Sequence, residues 1–392
     1  MGIFSKSKNT EELTLVFDIG SSSVGGALFL AQKSGVPKII FSVREAIVFG
    51  DKVDFDILLS STAKSLEIVA NKICMAGLGV PKKTFCILAS PWYASQIRTI
   101  KLEKNTSFIF TSELADSLIK KEISLFEEEY LMKNQSKGEE GVRAIELKNM
   151  KIMLNGYTVR DPLDKKIKEL EMIIFISISS ERVLKKIEYT IGKYFHPDNI
   201  KFSSFPMATF TVSRDMYMHH ENFLLIDVGG EVTDVSMIKK DVLCNSISFP
   251  MGLNFMIRGI SSSLNCSLDE AKSFISLYKD GHMEKSVEKK FDPIIFKLKT
   301  EWLNKFQESL FNLSNSISMP STIFLTTSQG FSDFFTKIIK TEEFNQYTFT
   351  ESKFRIVSLN TQELHGTALF KENVVRDPFI IVESVYINRF FR

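Results

Sequence analysis

Two stretches of this chain repeat one another far apart in the sequence: "TLVFDIGSSSVGGALFL" at 14–30 and "FLLIDVGGEVTDVSMIK" at 223–239. Each is an apolar, β-favouring run that reaches Asp-(Ile/Val)-Gly, crosses small or turn-forming residues, and becomes apolar again. One such unit is an ordinary hairpin. Two of them mark an internal repeat, and a chain built on a repeat folds as two halves, each organised around its own hairpin. The turn chemistry suggests why. A tight glycine-containing turn points backbone N–H groups into a concavity suited to phosphate oxygens. The candidate phosphate-binding residues are therefore Gly20, Ser21, Ser22 and Ser23 in the first hairpin, and Gly229, Gly230 and Thr233 in the second. Asp18 and Asp227 would repel phosphate directly, so carboxylates at these two points make sense with a hydrated Mg²⁺ between them and the ligand.

The pattern around the repeat is mixed α/β. After the first hairpin, "PKIIFSVREAIVF" reads as a third strand of a meander. In the next segment Leu59, Ala63, Leu66, Ala70 and Ile73 recur at helical spacing, with Gly77 placed as a helix-terminating glycine. "KTFCILAS" then reads as a buried strand. From residue 89 to 195 the texture changes to a long exposed strand, a helix opened at Thr111, a polar loop ("NQSKGEEGVR"), a hairpin turning at Asn155-Gly156, another strand and a helix. That order describes a compact inserted subdomain.

This layout resembles the actin-like ATPase superfamily, and within it the FtsA and PilM families of bacterial actin relatives. Asp18-Ile19-Gly20-Ser21-Ser22-Ser23 is similar to the phosphate-1 motif, and Asp227-Val228-Gly229-Gly230-Glu231-Val232-Thr233-Asp234 to the phosphate-2 motif. "IMLNGYTVRDPLDKKIKELEMIIFIS" is similar to the SHS2 segment of FtsA, and "SFPMGLNFMIRGISSSLNCSLDEAKSF" to the stretch after phosphate-2 in both families. The resemblance implies an α/β, two-lobed actin-like (ribonuclease H-like) ATPase fold with an inserted SHS2-type subdomain. It implies a first lobe at 1–88, the insert at 89–195, an interdomain connector at 196–220, and a second lobe at 221–392 with a helical subdomain near 262–318. Pro206 and Ala208 fall where the family has its connector, as a hinge or as a loop entering a helix. The implied cofactor is Mg-ATP, with Asp18 and Asp227 as the catalytic and water-mediated metal residues. The implied role is a scaffold joining assembly partners, bound at the insert, to a division machine (FtsA-like) or to pilus assembly (PilM-like). Self-association belongs to the same expectation.

The sequence also departs from that pattern. The Ala-Glu-x-x-Lys that touches ribose and adenine in ATP-binding relatives reads here Ala271-Lys272-Ser273-Phe274-Ile275, so Lys272 and Ile275 replace the acid and the base. The glycine-rich adenosine motif reads Thr326-Thr327-Ser328-Gln329-Gly330, with side chains where the family has bare backbone. The phosphate-1 lysine is replaced by Gly25-Gly26. The expectation is weak nucleotide binding or none, and at most slow ATPase activity. A nucleotide-dependent kinase on the same fold is the competing class, but no base for a substrate hydroxyl is assignable.

Composition excludes other classes. The net charge is +2, from 49 basic and 47 acidic residues, so no global field draws the chain to nucleic acid. Four cysteines (Cys74, Cys86, Cys244, Cys266) lack metal-ligand spacing and read as free thiols. Adjacent His219 and His220 read as a solvated connector. The polar start "MGIFSKSKNTEEL" does not read as a signal peptide, and no apolar run reaches membrane-spanning length. The expected location is cytoplasmic, at the cytoplasmic face of the inner membrane, with membrane contact only through a partner. In "KSVEKKFDPIIFKLKTEWLNKFQESLFNLSN", the spacing of Phe291, Ile295, Leu298, Trp302 and Phe306 predicts the buried face of a helix. The tail "DPFIIVESVYINRFFR" predicts a helix capped by Asp377 and packed on the second lobe.

Overall fold

The structure is a computed structural model that describes residues 11–134, 141–196, 200–314, 319–328, 330–340 and 354–391. Residues 135–140 of the expected polar loop at 134–143, and the candidate Gln329, lie outside the described residues, while Val142 and Arg143 of that loop open a strand. The chain divides into two compact units. One comprises Met1–Ala89, Ile187–Met216 and Ser358–Arg392; the other comprises Ser90–Lys186 and Tyr217–Val357.

The chain opens with the expected meander: β1 (Glu12–Ile19), β2 (Ser23–Ala31) and β3 (Lys38–Ala46), antiparallel in sequence. Helix α1 (Phe55–Met75) starts at Asp54, whose carboxylate accepts the Ile57 N–H, and stops at Gly77, where φ is +60°. A left-handed residue there suits glycine, which has no Cβ to clash. The helix lies directly on the sheet at Gly26, where a Cβ would meet Val69 Cγ1 at 2.6 Å and Ile73 Cδ1 at 2.7 Å. Leu66, Val69, Ala70 and Ile73 are fully buried against that face, each larger aliphatic contributing about 1.5–3 kcal/mol. Strand β4 (Lys83–Leu88) returns parallel to β1.

The segment expected as an insert follows as β5 (Ala94–Phe110), α2 (Ser112–Asn134), β6 (Val142–Leu154), a two-residue β7 (Tyr157–Thr158) and β8 (Lys165–Ser180). Its sheet runs β5-β8-β6-β7, all antiparallel. The turn after β6 is built as the Asn-Gly pair requires, with φ of +49° at Asn155 and +82° at Gly156. Alternate residues of β8 (Leu170, Met172, Ile174, Ile176, Ile178) face Ile119 and Phe126 of α2 in one apolar core.

After α3 (Glu181–Gly192) the chain supplies β9 (Ile200–Ser204), parallel to β4, and α4 (Phe205–Met216). Pro206 and Ala208 are buried in the first turns of α4. In the other unit β10 (Phe223–Val228), β11 (Thr233–Lys239) and β12 (Val242–Phe249) form the second meander. Three helices come next: α5 (Leu253–Leu264), α6 (Leu268–Lys279) and α7 (Lys285–Ser314). The predicted stripe of α7, from Phe291 to Phe306, is buried. Strand β13 (Thr322–Thr327) pairs parallel with β10, followed by α8 (Ser332–Lys340), β14 (Arg355–Ser358), β15 (Leu369–Phe370) and α9 (Pro378–Asn388).

The sequence repeat is a structural repeat. The first sheet runs β3-β2-β1-β4-β9, with β15 added beside β3, and the second runs β12-β11-β10-β13-β14. In each, an antiparallel meander carries a further strand parallel to its first member. This duplicated order gives the α/β class that the sequence predicts.

The tail differs from expectation. Helix α9 packs on α4, β1 and β2 of the first unit, not on the second half of the chain. Phe390 stacks on Phe85 of β4 with ring centroids 5.8 Å apart, and Arg389 pairs with Asp215. Among the described residues no helix is long and apolar enough to cross a membrane.

Candidate functional site

In the first hairpin, the Gly20 N–H donates to Ser23 O at 3.2 Å and the Ile47 N–H donates to Ser22 O at 2.9 Å. The turn is thus closed on itself and tied to the end of β3. Ser21 is buried. Register places Asp18, Gly25 and Arg44 in one row across β1, β2 and β3. The neighbouring row, with Gly26, faces α1, so this row faces the opposite side, where α9 lies.

Arg44 occupies that row. Its Nη2 donates to Asp18 Oδ2 at 2.6 Å and Nη1 donates to the Ser23 hydroxyl at 2.9 Å. A two-point contact reaches Asp377, from Nε to Oδ2 at 2.6 Å and from Nη2 to Oδ1 at 3.1 Å. Asp377 is also the N-cap of α9, accepting from the Phe379 and Ile380 N–H groups. One guanidinium therefore joins the hairpin to the start of the C-terminal helix. Burial works against the Arg44 charge, but the Asp377 and Asp18 carboxylates outweigh it and hold its pKa above the usual value. Burial pushes the Asp18 carboxyl up; Arg44 opposes this and Asp377 adds to it. Glu383, fully buried on α9, is raised further by its own burial and then by the charge of Asp18.

The second hairpin repeats the closure: the Gly229 N–H donates to Val232 O at 3.0 Å. Helix α5 sits on this turn, with the Leu253 N–H donating to Gly229 O at 2.9 Å and the Asn254 N–H to Gly230 O at 2.8 Å. Such closeness requires Gly252, since a Cβ there would lie 2.4 Å from both carbonyl oxygens. Glu231 is buried beneath the turn and takes a fork from Arg258 of α5, both bonds 2.7 Å, plus the Asn254 amide at 2.7 Å. The Thr233 hydroxyl donates to Met251 O at 2.7 Å and accepts from the Trp302 indole at 3.2 Å. Asp227 accepts from the Thr326 hydroxyl at 2.7 Å. Asp234 accepts hydroxyls from Ser90 (2.9 Å), Ser248 (2.5 Å) and Tyr93 (3.3 Å); burial raises its pKa and these donors oppose the rise.

In the adenosine region, Lys272 is a surface residue of α6 paired with Asp269, whereas Ile275 is fully buried on the same helix. Thr327 ends β13 with its hydroxyl buried, Ser328 follows it, and Gly330 has φ of +84°. The Lys279 ammonium lies 3.6 Å from where a Gly330 Cβ would stand and pairs with Asp280 at 2.7 Å. A cavity of about 280 Å³ adjoins, lined by Tyr278, Gly330 and Phe334, by Lys279, Lys299 and Lys337, and by the acids Asp280, Glu288 and Asp333.

The sequence-predicted residues thus fall into two groups: Asp18, Gly20, Ser21, Ser22 and Ser23 in one unit, and Asp227, Gly229, Gly230, Thr233 and the adenosine region in the other. Asp18, Gly20 and Ser23 are bonded within the first of these units, and Asp227, Gly229 and Thr233 within the second. The first hairpin does not fit a hydrated Mg²⁺, because the Asp18 carboxylate is already bonded through Oδ2 to the Arg44 guanidinium. Among the described residues, no group of three or more His, Cys, Asp or Glu side chains is arranged to hold a metal. Sequence reasoning missed Arg44 and Arg258. The only signal for Arg44 was a charged residue in a strand that pairs with Gly25-Gly26, visible once the register is counted from the first turn.

No protein-family model and no curated protein matches the chain. Among solved structures, a chain of the PilM–PilN type IV pilus biogenesis complex aligns over 97% of this chain and 98% of its own, with TM-score 0.57 and 12% identity. MreB5 of Spiroplasma citri bound to AMPPNP aligns over 97% of each chain, with TM-score 0.45 and 8% identity. The ethanolamine utilization protein EutJ from Carboxydothermus hydrogenoformans covers 96% of this chain and 89% of its own, with TM-score 0.43 and 10% identity. The last two are too distant to carry weight, and at 12% identity the first speaks to architecture alone. The fold is α/β, of the actin-like ATPase kind.

Proposed function

We propose that this protein is a scaffold: an actin-like chain whose insert holds a protein partner, in the manner of PilM or FtsA, and which works without bound Mg-ATP. The observation that carries this reading is the engagement of Asp18 by Arg44, which leaves the first hairpin without a carboxylate free to organise a hydrated metal. The order strand, helix and three further strands from β5 to β8, with β7 only two residues long, supports reading the insert as SHS2-type. The sequence alone leans toward the division machine, through the Asn155-Gly156-Tyr157 segment. Likeness over the full length to a pilus biogenesis chain favours the pilus role instead. In either role the chain meets a membrane through its partner. A kinase would need a bare purine site, and the strand end before Gly330 carries the Thr327 and Ser328 side chains instead.

The test is co-expression with the products of the neighbouring genes, followed by size-exclusion chromatography in EDTA. The reading expects one stable complex, weakened by Tyr157→Ala and Leu163→Ala, two exposed apolar residues of the insert. A complex that forms only with Mg-ATP, or one indifferent to deletion of the insert surface, contradicts it.

A further inference from the structure

Each hairpin is bonded to an arginine from its own unit. In the first, Arg44 binds Asp18, Ser23 and Asp377 at once. In the second, Arg258 forks onto Glu231, whose neighbour Gly230 is bonded to α5. The two arrangements are independent, since they lie in different units and share no residue. They are also built alike: the glycine N–H after the Asp closes each turn, and a buried carboxylate anchors each arginine. Space is reserved for Arg44, since a Cβ at Gly25 would meet its Nη2 at 2.7 Å; Gly252 instead lets α5, which carries Arg258, sit against the carbonyls of Gly229 and Gly230.

We propose that Arg44 and Arg258 are resident ordering groups that hold the two phosphate-type hairpins in fixed conformations with no ligand present. The chain is thereby locked in one state of a fold whose turns would otherwise await a nucleotide. A turn waiting for an anion keeps donors exposed and loses order when the anion leaves. Here the donors of Gly20 and Gly229 point into the turns, and the carboxylates are neutralised by permanent cations. Arg44 adds a second consequence. Because Asp377 caps α9, the same guanidinium fixes the start of the C-terminal helix, so hairpin 1 and α9 loosen together if it is removed. This inference deepens the scaffold reading, resting on it only for the premise that the working chain is nucleotide-free.

Hydrogen exchange read by mass spectrometry on the intact chain tests it. In EDTA the amides of 18–25 and 227–234 are expected to exchange slowly and to be unchanged by millimolar Mg-ATP. Arg44→Gln is expected to speed exchange about tenfold or more in 18–25 and in the first turn of α9, leaving 227–234 unaffected; Arg258→Gln does the reverse. Where Arg44→Gln lacks a cooperative melt, Arg44→Lys, which keeps the charge and loses the fork, is read for the same local pattern. Hairpins that exchange fast in EDTA and slow down with Mg-ATP overturn the proposal. So does a folded Arg44 variant whose first hairpin stays as protected as wild type, or whose two hairpins loosen equally. Partner binding plays no part in these readings, so a failed co-expression experiment leaves the exchange pattern to be judged by itself.

Discussion

Arg44 fills the space that a side chain at Gly25 would need: its Nη2 lies 2.7 Å from the position of a Gly25 Cβ, across the paired strands β2 and β3. Gly25→Ala must therefore displace the guanidinium from Asp18. The expected cost is about 1–3 kcal/mol, as for overpacking elsewhere. In Gly25→Ala/Arg44→Gln the two losses should not add, because the second change removes the atoms that the first one strikes. Urea unfolding of the four proteins checks this; full additivity would mean the two residues do not compete for that space.

Gly252 faces backbone instead of a flexible side chain. An alanine there would approach two carbonyl oxygens at 2.4 Å, and neither can move without breaking the seat of α5 on the second turn. Gly252→Ala should cost about 3 kcal/mol or more. Gly192 serves as the control, since nothing lies within 4 Å of a Cβ there and it ends α3. Gly192→Ala should be within about 1 kcal/mol of wild type, on the stabilising side. The midpoints of denaturation give the comparison.

Glu383 gives a pH dependence of definite sign. Burial and the neighbouring Asp18 hold its folded-state pKa well above the ordinary 4.5. The folded state then keeps a proton that the unfolded chain releases, so stability falls as pH rises from about 4.5 toward the raised value. Glu383→Gln removes that release. The variant should be more stable than wild type at pH 7, and its melting temperature should decline less between pH 5 and pH 8. A parallel decline in both proteins would show that Glu383 does not hold the proton.

Asp377 has two separable jobs. Asparagine can still cap α9 but cannot neutralise Arg44, while alanine does neither. Stability should fall in the order wild type, Asp377→Asn, Asp377→Ala, with the last step near 1 kcal/mol. Thermal melts of the three rank them; equal values for the two variants would mean the cap bonds do not form.

What the sequence made legible was local. The two hairpins are written in Asp-x-Gly turns, α1 and α7 in their helical spacing, and the insert turn in Asn155-Gly156. Strand β9 escaped notice because "IKFSS" is short and half polar, and α4 was legible only as a helix entry at Pro206 and Ala208, since a helix with nine consecutive buried residues shows no amphipathic stripe. The arginine pairs escaped for a different reason. Arg44 and Asp377 are separated by 333 residues, and no local pattern announces a partner at that distance. The placement of α9 is hidden in the same way, since the cap at Asp377 is visible in sequence but the strand it docks on is not.

The central claim is that this fold works with its hairpins ordered from within. It is tested most directly by the thermal melt of the wild-type chain with and without millimolar Mg-ATP. A ligand that binds only the folded state must stabilise it, by about 2.7 kcal/mol at a hundredfold excess over its Kd. The account predicts no shift at any concentration. An upward shift that Asp18→Asn abolishes would contradict it, and would show that the first hairpin opens to phosphate despite Arg44.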